Sequence, residues 1–81
     1  MMGNNIIADN LKVLVFKSNI DTPAKVNHIQ GTLLDDDYIY QVDVDLEDCD
    51  NVLRVECHPR SSAQRMIEQL HKAGFTGARL M

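Results

Sequence analysis

Two cysteines, Cys49 and Cys57, are all that this 81-residue chain carries, too few for a disulfide framework in a domain of its size. Reduced thiols in the cytoplasm are the simplest expectation. No apolar run approaches the roughly 20 residues that a membrane span requires. Met1–Asn10 also lacks the ordered basic start, apolar stretch and cleavage site of a secretory leader. Basic residues are missing altogether between Asp35 and Asp50, a stretch that holds eight of the twelve acids behind the net charge of −4. Such a field repels phosphate backbones and argues against a nucleic-acid partner. Its acids do not follow a calcium-loop spacing. They read as a solvated hairpin or as a docking surface for a basic protein. A Gly-rich phosphate loop, a nucleophile beside a base and a carboxylate pair placeable in a cleft are all absent, so no catalytic residue is expected. Repeats and linkers are absent too. The chain reads as one domain over 11–81, preceded by a loose segment 1–10 in which Ile6 and Ile7 offer an extension of the first strand.

What is present is a clear alternation of strand and helix signals. Leu11 to Lys17 is an almost continuous apolar run of strand length. Thr22 is a good N-cap, Pro23 suits the first helical position, and Val26, Ile29 and Leu33 repeat at helical spacing. Gly31 weakens that helix unless a neighbouring backbone packs closely there, and Asp35-Asp36-Asp37 ends it in a turn. A second strand is expected over Tyr38–Leu46, with Tyr40, Val42, Val44 and Leu46 on one face and Gln41, Asp43 and Asp45 on the other. After a polar turn at Glu47–Asn51, a third strand over Val52–Cys57 points Leu53, Val55 and Cys57 inward. Its Arg54 is positioned to pair with an Asp of the second strand. Ser61 or Ser62 caps a second helix whose apolar stripe is Ala63, Met66, Ile67 and Leu70, and Gly74 closes it, with Phe75 packing after it. A short strand over Ala78–Met81 ends the chain.

The order β-α-β-β-α-β with two covering helices predicts an α+β fold, the ferredoxin-like split-βαβ sandwich with a four-stranded antiparallel sheet. That topology gathers the first strand–helix loop, the turn between the second and third strands, and Gly74-Phe75 at one end. Cys57 and His58 fall at the other.

The junction Ser18-Asn19-Ile20-Asp21-Thr22-Pro23-Ala24-Lys25 carries a resemblance to the heavy-metal-associated domains and copper chaperones, whose metal loop reads Gly-Met-Thr-Cys-x-x-Cys. Asn19-Ile20-Asp21 occupies the Gly-Met-Thr positions, while Thr22 and Lys25 stand at the two cysteine positions. The hairpin Val42-Asp43-Val44-Asp45-Leu46 through Val52-Leu53-Arg54-Val55 and the ending Ile67-x-x-Leu70-x-x-x-Gly74-Phe75 resemble the same family in order and spacing. The likeness extends from the first strand to Phe75.

By that resemblance the cofactor would be Cu(I) or Zn(II), held by thiolates. A threonine hydroxyl and a protonated lysine supply no such donor, so no metal ligand is expected at Thr22 and Lys25. Cys49, in the turn near the loop, is a weak substitute. Lys25 in a first helical turn opposes the helix dipole and calls for a compensating acid, either Asp21 or one from the Glu47–Asn51 turn; its charge would stand in for the family's bound cation. The resemblance implies a non-catalytic protein-interaction or accessory module in metal handling, acting as a monomer or weak homodimer. Its partner face would hold Asn19, Asp21, Lys25, Glu47, Asp48, Asp50 and Phe75. Two alternatives stay open: a true metal-ion carrier using non-standard ligands, and a ferredoxin-like dimer that senses a small molecule.

Overall fold

The first strand, β1 (Lys12–Ser18), runs through the middle of the sheet with Leu14, Phe16 and Ser18 alternately turned inward. The computed structural model describes residues 11–80; the expectations for 1–10, the strand extension at Ile6-Ile7 and the end of the last strand at Met81 lie outside them. The remaining elements are α1 (Pro23–Leu34), β2 (Ile39–Val44), β3 (Leu53–Cys57), α2 (Ala63–Lys72) and β4 (Gly77–Arg79). All pairings are antiparallel and the sheet order is β2-β3-β1-β4. This is the ferredoxin-like sandwich that the element order predicts. No described helix is long and apolar enough to cross a membrane.

Both helices begin as their sequences dictate. Thr22 is extended (φ −137°), its hydroxyl accepts from the Lys25 N–H, and Pro23 occupies the first turn. Ser62, not Ser61, caps α2 through the Arg65 N–H. Their apolar stripes, Ile29 and Leu33 on α1 and Met66 and Leu70 on α2, are buried against Leu14 and Phe16 of β1 and Leu53, Val55 and Cys57 of β3. Burying a large apolar side chain completely stabilises the fold by about 1.5–3 kcal/mol. Gly74 (φ +90°) ends α2: its N–H donates to His71, and the Phe75 N–H donates to Leu70, the paired bonds of a Schellman stop. Asp36 makes the turn out of α1, its carboxylate accepting from the Tyr38 N–H at 2.8 Å.

The inward phase of β2 differs from the expected alternation. Ile39 is paired with Cys57 and Gln41 with the next residue back, Glu56, so Tyr40 is the extra residue of a β-bulge. Ile39 and Val42 therefore both point into the core, and Tyr40, expected inside, is exposed. Leu46 is also exposed, because the strand stops at Val44 and the chain has already turned. On the open face Asp43 lies opposite Arg54 in register, but no ion pair closes between them: the Asp43 carboxylate accepts from Gln41 instead. Gly31 has no backbone neighbour, since a side chain there would meet nothing within 4 Å. The glycine that does allow a close approach is Gly77, where a Cβ would collide with the buried side chain of Leu70.

Candidate functional site

β1 delivers Ser18 to the point where three loops meet. It continues the inward series Leu14, Phe16, so its side chain is buried although polar. The hydroxyl donates to the Asn51 carbonyl at 2.6 Å and accepts from the Ile20 N–H at 3.2 Å. The Ser18 N–H donates to the Asp50 carbonyl at 3.0 Å. One residue thus joins the strand–helix loop to the β2–β3 turn. A second latch joins the same loop to the end of the chain: the Asn19 side-chain oxygen accepts from the Thr76 N–H at 2.9 Å. Ile20, in the place of the family's methionine, is fully buried and anchors the loop to the core.

The β2–β3 turn is shaped by its own acids. Asp45 accepts from the Glu47 N–H and Asp48 from the Asp50 N–H, which lets Asn51 take a left-handed conformation (φ 44°) and feed β3. Asp50 then ion-pairs with Lys17 at 3.6 Å. Sequence reasoning missed Ser18 and Lys17; the alternation through Leu14 and Phe16 was the signal for the first, while the second depends on long-range register.

At Thr22 and Lys25, which the resemblance sets against the two cysteines, the structure holds a helix cap and an ion pair. The Thr22 hydroxyl is committed to the Lys25 N–H. The Lys25 ammonium contacts the Asp21 carboxylate at 2.7 Å, one helical turn back. Of the two expected compensating acids it is Asp21 that meets Lys25, and the turn is served by Lys17. The Lys25 ammonium beside Asp21 holds that carboxyl below its ordinary value, by hydrogen bond first and by charge second. These residues do not fit a thiolate-bound Cu(I) or Zn(II): an engaged hydroxyl and an ammonium offer no soft donor, and the ammonium repels a cation.

Asn19, Asp21, Lys25, Glu47, Asp48, Asp50 and Phe75 all belong to these loops or their first helical turn. Phe75 packs its ring edge-on to His28 of α1 at 5.9 Å. Cys49 is exposed in the turn, and one ligand atom each from Asp48, Cys49 and Asp50 lies within 4.8 Å of the others. Asp50 already serves Lys17 and Asp48 already closes the turn. The opposite end holds Cys57, buried and pushed up in pKa by that burial. Next to it the His58 ring is stacked on Tyr38 (4.7 Å, 22°), and its Nδ1 accepts from the Arg60 N–H.

No protein-family model and no curated protein matches the chain. Solved structures do. Oxidized MerP from Ralstonia metallidurans CH34 aligns with a TM-score of 0.74 at 14% identity, covering 88% of this chain and 99% of that one. A copper binding domain from HMA7, a P-type ATPase, gives 0.74 at 18% identity over 85% and 93%. The apo HMA domain of a copper chaperone for superoxide dismutase gives 0.73 at 20% identity over 88% and 68%. The chain has the fold of the heavy-metal-associated domains, in agreement with the resemblance carried by its residues.

Proposed function

We propose that this chain is a non-catalytic interaction or accessory module of metal handling, built on the heavy-metal-associated frame with the metal ligands replaced. The observation that carries the reading is the contrast within one loop. Ser18, Asn19 and Ile20 keep the loop fixed to the β2–β3 turn, the C-terminal segment and the core. The two ligand positions meanwhile hold the Thr22 cap and the Lys25–Asp21 pair. Among the fold neighbours are a copper binding domain of a P-type ATPase and the HMA domain of a copper chaperone, which supports a place in metal handling.

The loop end is the proposed partner face. It brings Asp21, Glu47, Asp48 and Asp50 to the end where Lys25 pairs with Asp21, Lys17 with Asp50, and Lys72 closes α2; the acids of the β2–β3 turn make a basic protein surface the complementary partner. Capture from an extract of the source cells at low salt tests this. A partner retained by the native chain and released by Asp48→Asn/Asp50→Asn supports the reading; capture that ignores the substitution refutes it.

A catalytic role finds no support in the Cys57-His58 pair: the thiol is buried and the imidazole is committed to Tyr38 and Arg60. The rival reading, a metal-ion carrier with non-standard ligands, rests on the neighbourhood of Cys49. Titration with Cu(I), Zn(II) and Ni(II) under reducing conditions separates the two, since a stoichiometric, tight complex would replace the interaction reading.

A further inference from the structure

At the end of the fold away from the three loops, a cavity of about 130 Å³ lies between the close of α1 and the start of α2. Its floor is apolar: Leu33, Ile39 and Met66 reach it from the core. The β-bulge at Tyr40 is what turns Ile39 inward to this position. The walls carry charges of both signs. Asp36 comes from the turn after α1, and Arg60 and Arg65 come from the loop before α2 and from its first turn. Neither arginine is within ion-pair distance of Asp36 or of any other described acid. The cavity opens into a wider groove between the helices that shares Asp36, Tyr38 and Arg65 with it and is left unfilled at Gly31.

Two of these walls are held in place before any ligand arrives. The Asp36 carboxylate is fixed by the Tyr38 N–H at 2.8 Å, and the Tyr38 ring is stacked on His58. The start of α2 adds positive potential to the arginine side. Charges of both signs that line an apolar floor without pairing with each other match a molecule that itself carries both signs beside an apolar body. A void of about 150 Å³ accepts a benzene-sized body, so this one accepts one aliphatic side chain with its head group at the mouth.

We propose that this cavity binds a free α-amino acid with an aliphatic side chain the size of leucine or methionine. The carboxylate meets Arg60 and Arg65, the ammonium meets Asp36, and the side chain lies on Leu33, Ile39 and Met66. A peptide terminus presents only one of the two charges and satisfies one wall. The site shares no residue with the loop end, so it stands or falls independently of the partner face.

Amide NMR titration of the full chain with L-leucine, glycine, N-acetyl-leucine and leucinamide tests the proposal. L-leucine should give saturable shifts at Ile39, Ser62, Arg65 and Met66. Glycine, which lacks the apolar body, and each one-charge analogue should bind at least roughly tenfold more weakly, one lost polar contact being worth about that factor. Arg65→Gln and Asp36→Asn, both exposed positions, should each weaken leucine by a similar factor. The Asn variant keeps an acceptor oxygen for the Tyr38 N–H. No saturation by about 10 mM, far weaker than a mM complex, would overturn the proposal. So would equal binding of the one-charge analogues, shifts centred on the loop end, or unchanged affinity in Arg65→Gln.

Discussion

The Ser18 hydroxyl and the Asn51 carbonyl, 33 residues apart in sequence, meet at 2.6 Å and fix the loop end of the domain. Ser18→Ala removes that bond and the acceptor for the Ile20 N–H, leaving two inward-facing backbone groups without their side-chain partner. The expected loss is about 1–3 kcal/mol in chemical denaturation. A change under about 0.5 kcal/mol would mean that solvent replaces both bonds and that the latch is dispensable.

Asp21 and Lys25 give a pH signature. The Asp21 pKa is depressed in the folded chain, chiefly by the Lys25 hydrogen bond. Its contribution to stability is therefore present above the ordinary carboxylate pKa and disappears as pH falls through the lower folded value. In Lys25→Met the Asp21 titration, followed by carboxyl NMR, should move up to the ordinary range. High salt should shrink the difference between the two proteins, because both groups are exposed.

Thr22→Cys/Lys25→Cys places two soft donors at the helix start. Since Ile20 and the Ser18 and Asn19 latches remain, the double variant should bind one equivalent of Cu(I) under reducing conditions, measured by metal content after gel filtration. The same variant empty of metal would show that the frame no longer supports coordination.

Gly31 and Gly77 should respond in opposite directions. Gly31 lies inside α1 with open space around it, so Gly31→Ala should stabilise the chain by about 0.5–1 kcal/mol. At Gly77 an added methyl collides with the end of the fully buried Leu70 side chain, which must shift within the core to make room. Gly77→Ala should cost about 1–3 kcal/mol. Melting curves of the two variants shifted the same way would contradict both placements.

The two thiols should differ in alkylation by iodoacetamide under native conditions. Cys49 is exposed and reacts. Cys57 is buried, its pKa raised, and its thiol donates to the Lys12 carbonyl at 3.5 Å, so it should react only once the chain unfolds. Equal rates, read by mass spectrometry, would place Cys57 outside the core.

Features encoded by neighbouring residues were legible from the sequence. Thr22-Pro23 and Gly74-Phe75 each specify a helix end through bonds that span a few positions and are found as expected, while the Ser61-Ser62 pair marked the start of α2 without deciding which serine caps it. The inward series of β3 was equally plain, because that strand alternates regularly, whereas that of β1 was hidden in a continuous apolar run. β2 was misread at Tyr40 because a bulge shifts the period by one residue and leaves no mark in the local pattern, and at Leu46 because the strand stops at Val44. The membership of the loop end was legible from topology, whereas its fastenings were not. Ser18 to Asn51, Asn19 to Thr76 and Lys17 to Asp50 are pairings that only the folded register creates.

Those fastenings separate two tasks that one loop performs. The loop is fastened by the side chains of Ser18, Asn19 and Ile20, while the Lys25 side chain is exposed and pairs with Asp21 within the same loop. A change in what the loop carries at position 25 therefore leaves the folded shape intact. What the loop presents outward and what keeps it folded thus depend on different residues, so the first can be altered by substitution without unfolding the domain.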